Sequence, residues 1–300
     1  TRDELRDPDR WYGCMTAAAQ ACLAPHVRYA DPACGVIIMD QIEQRSLAMD
    51  YLGTRTELLV ELGQTVRALH ALPPFPPLVD HLDATAKMLG EFQASGLFPA
   101  SATAAHAARY ERLAAVYREL KPEPAPSHND LNPRNILFDG RRLWLVDWEC
   151  AFQADRWVDV ACLANWFCRE EAEAMALLAA YLGATPTPAQ AARLYLARQV
   201  NHVFYAMVFL NMAAAQRPGV RAADSWPAVP SLADCHRRLG EGEPLMGSWE
   251  GRVAYGQARL DAALANVDAP RFEAAAALAA EGPAIRRRFG RPAGRGRMTA

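Results

Sequence analysis

Residues 127–149 read SHNDLNPRNILFDGRRLWLVDWE, and the side chains with chemical potential in this stretch are His128, Asp130, Asn135 and Asp147. These residue types hold protons and metal ions. Ile136-Leu137-Phe138 reads as a strand, Asp139-Gly140 as a turn and Leu143-Trp144-Leu145-Val146 as the returning strand. With 139–142 as the hairpin loop, residue 135 lies opposite residue 146, and Asp147 arrives beside Asn135. Paired strands lie about 5 Å apart, so one amide oxygen and one carboxylate can share a metal ion. Two oxygen ligands with further positions open suit Mg²⁺ on a polyphosphate better than a caged structural ion. Asp130, upstream on the same loop, is placed to take a proton from a substrate hydroxyl, and His128 to orient the loop through hydrogen bonds. Base, metal pair and hairpin are together the parts for phosphoryl transfer, where catalysis is mostly positioning and charge stabilisation. The bland alternative is a buried polar loop whose Asp and Asn residues cap turns.

The elements that must hold this loop are mostly helical. Asp7-Pro8 is a helix start, and Trp11, Met15, Ala18 and Cys22 recur at helical spacing until Pro25. Two short strands follow, HVRY and GVIIM, with Asp31-Pro32 and Gly35 as turn residues. A connector lies near 40–50. Thr54 and Glu57 form a capping box for a helix through about Leu72, and LPPFPP breaks the chain before helices near 79–95 and 101–120. Beyond the hairpin, helices are expected near 157–168, 170–182, 187–216, 229–239, 248–266 and 269–280.

Apolar residues make up 51% of the 300, charged residues 22%, and the net charge is −2. That composition describes a globular protein, with no electrostatic reason to expect nucleic acid or an anionic membrane as partner. Seven cysteines without a Cys-x-x-Cys pair, and no apolar run near the roughly 20 residues of a membrane helix, point to a reducing cytoplasm. The exception in charge is the arginine-rich tail IRRRFGRPAGRGRMTA, which reads as a solvated, disordered segment.

The pattern H-x-D-x4-N, then a hairpin and an Asp, resembles one shared in variant form by protein kinases and small-molecule kinases. HNDLNPRNIL with LVDWE is similar to the choline/ethanolamine kinase and aminoglycoside phosphotransferase group, its HND and DWE forms leaning toward the choline kinases. The resemblance implies an α+β, bilobal, protein-kinase-like fold with an incomplete small N-lobe and a large, mostly helical C-lobe. It divides the chain into a partial N-lobe over 1–40, a helical C-lobe over 41–285 and the basic tail over 286–300. It implies Asp130 and His128 as catalytic residues, Asn135 and Asp147 as Mg²⁺ ligands, and ATP as phosphoryl donor. Asp159, in RWVDVA, matches an acid that braces the catalytic loop. The connector would form the floor of an adenine site through backbone groups around Asp40, Gln41 and Ile42.

The sequence also departs from that pattern. No glycine-rich G-x-G-x-x-G occurs, and the only lysines, Lys87 and Lys121, fall in the helical body or just before the motif. The helix near 8–23 contains no Glu to pair with a lysine; Glu4 precedes it, and Arg2 or Arg6 would be improvised substitutes. Two readings follow. Either the chain begins just after a phosphate-anchoring strand, consistent with Thr1, or it is a kinase-like protein that binds without transferring. Retention of the base and both metal ligands favours the first. The acceptor is expected to be a small-molecule hydroxyl, choline or another amino alcohol, with an aminoglycoside- or sugar-type acceptor as the alternative. Trp148, Trp166 and Tyr205 could offer aromatic faces to a cation, and Glu149 a carboxylate. Glu170, Glu171 and Glu173 read as a solvated helix start. Cys150 stands where choline kinases often carry Tyr, which weakens choline. The bland reading makes the aromatic residues core.

Overall fold

The computed structural model describes residues 7–45 and 50–281. The tail over 286–300, Arg2, Glu4 and Arg6 lie outside those residues. Asp7 caps the first helix by accepting the Asp9 N–H, and Pro8 fills its first turn, giving α1 (Pro8–Gln20). The helix stops before the expected Pro25, because Cys22 takes a left-handed conformation that turns the chain out. β1 (Val27–Asp31) and β2 (Val36–Met39) then pair antiparallel, with Gly35 at φ 67° supplying the turn. Beyond this ribbon the Arg45 N–H reaches the Phe138 carbonyl at 2.7 Å.

The body follows the expected helical order. The reciprocal Thr54–Glu57 capping box starts α2 (Arg55–Leu69). α3 (His81–Ser95) is capped by Asp80, and α4 (Ala100–Glu119) follows Pro99. After the hairpin region come α5 (Trp157–Phe167), α6 (Glu171–Leu182), α7 (Pro188–Gln216), α8 (Leu232–Gly240), α9 (Trp249–Val267) and α10 (Pro270–Ala280). α8 starts three residues later than its pattern suggests, where Ser231 caps it. α7 forms the axis of the core: Leu196, Val203, Ala206, Met207 and Leu210 are buried where it packs against α9, α5, α10 and α3. α2 lies close on α6 because Gly63 has no Cβ, which would meet the Leu177 carbonyl at 2.6 Å.

Four strands sit between α4 and α5. β3 (Pro124–Ser127) pairs with β6 (Phe152–Asp155), and between them β4 (Ile136–Phe138) pairs with β5 (Leu143–Leu145). The β4–β5 hairpin is the expected one. β3 and β6 were not among the expected strands, and β3 carries Pro124 and Pro126; in a two-stranded ladder a proline costs nothing where its missing N–H would face outward. The architecture is α+β: a small β-containing N-terminal part and a large helical body, interrupted once by the motif strands. Among the described residues, no helix is long and apolar enough to cross a membrane.

Candidate active site

The organising group is Asp159, at the first turn of α5 and fully buried. Its Oδ2 accepts the His128 N–H at 2.9 Å and its Oδ1 the Asn129 N–H at 2.7 Å. His70, at the end of α2, places Nε2 3.1 Å from Oδ2, while its Nδ1 lies 2.9 Å from the Tyr181 hydroxyl. A buried carboxylate is tolerable only when donors surround it, and here they come from the loop and from α2. One carboxylate therefore fixes the backbone just before Asp130.

His128 lies under the loop, where its ring can orient it through hydrogen bonds, whereas Trp148 has a different place from the one its type suggested. The His128 ring is fully buried, with Nε2 2.9 Å from the Val146 carbonyl and its centroid 4.8 Å from Trp148. Trp148 is 1% exposed and donates its indole N–H to the Leu145 carbonyl at 3.0 Å. The cause for Trp148 is that a wide ring buried under the loop gains more from packing than from facing solvent. The His128 ring therefore faces the Val146 carbonyl and Trp148 under the loop, and the face of Trp148 is not open to a substrate.

Asp130 is half-buried on the open side of the loop. Its Oδ1 accepts the Tyr205 hydroxyl at 2.5 Å and the Asn132 amide at 3.1 Å, and its Oδ2 accepts the Asn135 amide at 3.0 Å. The Asn135 Nδ2 also reaches the Asp130 carbonyl at 2.9 Å, so this nitrogen serves Asp130 alone. The Val146 N–H donates to the Asn135 carbonyl at 3.0 Å, and Ile136 pairs with Leu145. The register is the expected one, and Asp147 follows directly, exposed, in a left-handed conformation at φ 64°. Asn and Asp tolerate that region better than most side chains. With the Asn135 nitrogen committed, its Oδ1 is the remaining acceptor, on a residue whose backbone pairs with Val146, the neighbour of the exposed Asp147. This amide oxygen and the Asp147 carboxylate are hard oxygen donors, the type a Mg²⁺ site takes. Among the described residues, no group of three or more His, Cys, Asp or Glu could hold a metal.

Arg10 was missed by the sequence reading, which looked to Arg2, Glu4 and Arg6. It lies on the buried face of α1, one turn before Cys14, and that place in an apolar pattern was its only trace. Its guanidinium hydrogen-bonds the Ala151 carbonyl and, at 2.7 Å, the Glu149 carbonyl. From the other side, the Asn129 amide donates to the Cys150 carbonyl at 2.9 Å. The turn after Asp147 is thus clamped by α1 and by the loop. Glu149 itself is half-buried in that turn.

The remaining expected positions divide. The Asp40 N–H is taken by the His26 carbonyl at 2.9 Å, and its carboxylate pairs with Arg28 at 2.6 Å. Its amide is therefore not available to a base edge; Ile42 lies beyond it, outside any helix or strand. Tyr205 touches Asp130 directly, whereas Trp166 is half-buried and stacks on His236 at 5.0 Å. Lys87 is exposed on α3, 4.0 Å from Glu91, away from the loop. Glu173 pairs with Arg55 and Glu171 with Arg271, the latter at the surface, where Glu171 stays exposed as a solvated helix start should.

Known proteins share the family and the fold. A model of the phosphotransferase enzyme family (APH) matches residues 8–194. No curated protein matches the sequence. Among solved structures, a choline/ethanolamine kinase family protein from Mesorhizobium loti is 19% identical with a TM-score of 0.70, covering 92% of this chain and 85% of its own. The choline kinase LicA from Streptococcus pneumoniae is 14% identical with a TM-score of 0.56, covering 85% and 82%. The gentamicin complex of APH(2")-IIa is 15% identical with a TM-score of 0.55, covering 84% and 85%. At these identities the likeness is one of fold, and it is the expected kinase-like one.

Proposed function

Because the chain belongs to the phosphotransferase enzyme family, we propose that it transfers the terminal phosphoryl group of ATP to a hydroxyl of a small molecule. The observation that carries this reading is the convergence on one loop: the Asn135 amide on Asp130 and the Asn135 carbonyl on the Val146 N–H that precedes Asp147. Asp130 orients the acceptor hydroxyl and takes its proton as the oxygen attacks. Asn135 and Asp147 would hold Mg²⁺, which when bound supplies charge against the polyphosphate. Asp159, Arg10 and Asn129 keep the two loops in register so that base and ligands face one space. Solved neighbours carrying AMP or GDP support a nucleotide donor.

The test is an acceptor-dependent ADP-release assay. Asp130→Asn should lower turnover by about 10²–10⁴-fold, the range of a positioned general base, with the fold retained by circular dichroism. Asp147→Ala should remove the Mg²⁺ dependence of nucleotide binding. Full turnover in the first variant would sink the assignment.

A second reading is a silent binding module of the same fold. It is favoured by the three donors already on the Asp130 carboxylate, the Tyr205 hydroxyl among them. That module would bind nucleotide and release no ADP with any acceptor.

A further inference from the structure

Arg259, on α9, is fully buried one aromatic ring away from Asp130. Its Nε and Nη2 donate to the Tyr255 hydroxyl at 3.0 and 2.8 Å, and its Nη1 to His202 Nδ1 at 3.3 Å. Its guanidinium carbon lies 4.5 Å from the ring centroid of Trp166, 5.0 Å from Tyr205 and 5.2 Å from Tyr255. None of these partners is an anion. Burial holds His202 well below the usual histidine range and pushes His236 down to about 3, so both rings are neutral. The Tyr255 hydroxyl, accepting twice from Arg259, donates onward to His236 at 3.0 Å. Among the described residues Arg259 makes no ion pair with a carboxylate.

Two neighbours extend the pattern. Arg198 donates to the amide oxygen of Asn165 at 2.9 Å rather than to an acid. The buried indole Nε1–H of Trp166 has no partner. A buried cation is stable only with compensation, and among the described residues the carboxylate linked to this cluster is Asp130, through Tyr205. The aromatic faces that could have held a cationic acceptor already hold the chain's own cation. Glu171 and Glu173, the nearby acids that could have attracted one, are paired with Arg271 and Arg55.

We propose that the acceptor bears an acidic group, a carboxylate or a phosphate, whose charge Arg259 balances across the Trp166–Tyr205 layer. This rests on the phosphotransfer reading and names the substrate class that the site would prefer. Arg259 is then a specificity residue acting through the rings rather than by contact. A quaternary ammonium would meet occupied faces and a like charge.

The experiment is calorimetric titration of D-glycerate, glycerol and choline into the full chain with Mg²⁺ and ADP present. Glycerate should bind at least tenfold tighter than glycerol, and choline most weakly. Arg259→Lys should keep that order, while Arg259→Met should bring glycerate and glycerol within about threefold. Choline binding tighter than glycerate, glycerate failing to bind, or an unchanged preference in folded Arg259→Met would overturn the proposal. If Arg259→Met does not fold, the wild-type order and Arg259→Lys decide it. Acceptor order is read from binding alone, so failure of phosphotransfer shows separately as absent ADP release.

Discussion

The loop over 127–135 and the ribbon of β1 and β2 reverse the usual relation between regularity and order. The loop has almost no regular structure, yet Ser127, His128, Asn129 and Asn135 are all buried, and the His128 and Asn129 backbone N–H groups and the Asn129 amide bond to segments far along the chain. The ribbon is regularly paired but leaves Tyr29 52% and its cross-strand partner Ile38 53% exposed. In this molecule, fixed positions come from buried polar groups that tie remote segments together. Local strand pairing alone does not supply them.

The largest effect should follow from removing the buried carboxylate. Asp159→Ala strands the His128 and Asn129 amides and the His70 ring without their acceptor, at a cost of about 3–5 kcal/mol, the range for breaking a buried charged pair. Denaturant titration should show it, with acceptor-dependent turnover lost as well. A variant of near-native stability would mean that the loop holds its shape by itself, and the contrast with the ribbon would collapse.

Arg10→Met tests the second tie. It keeps the packing of α1 but leaves the Glu149 and Ala151 carbonyls without the guanidinium, costing about 2–3 kcal/mol. Nucleotide affinity should fall with stability, because the turn carrying Asp147 is released. Equal affinity in the variant would show that α1 merely covers the body.

A third test uses pH. His81, at the start of α3, has a buried Nε2 without a partner; burial pushes its pKa down to about 4, against smaller opposing effects of Asp80 and Asp159. The folded chain therefore resists a proton that the unfolded chain accepts near 6.5. Stability is full above that pH and declines as pH falls toward 4, by up to about 1.4 kcal/mol per pH unit from this group. His81→Phe should flatten that part of the stability–pH curve. An unchanged slope would assign the acid sensitivity elsewhere.

The sequence was readable wherever one local rule decided the outcome. Asp7-Pro8, the Thr54–Glu57 box and Asp139-Gly140 set element starts and turns within a few residues, and the hairpin register followed from loop length. It was unreadable where partners lie far apart. Nothing near Asp130 announces Tyr205, and the buried arginines Arg10 and Arg259 look like solvent-facing charges until their helices are packed. Trp148 misled because an aromatic residue beside a motif serves equally as ligand face or as floor, and only burial separates the two.

The smallest expected effect completes the contrast. Ile38 pairs with Tyr29 across the ribbon, and Val36, two residues before it, is also exposed at 42%. Ile37, on the alternate face, packs against the core. Ile38→Ser should therefore change stability by no more than about 0.5 kcal/mol, as for an ordinary surface substitution. Ile37→Ser should cost clearly more, because it takes an apolar contact from the body. Measured together by thermal melts, the pair separates the anchored face of the ribbon from its open one. A large loss from Ile38→Ser would mean that this face is covered in solution, and the ribbon would then be anchored on both faces.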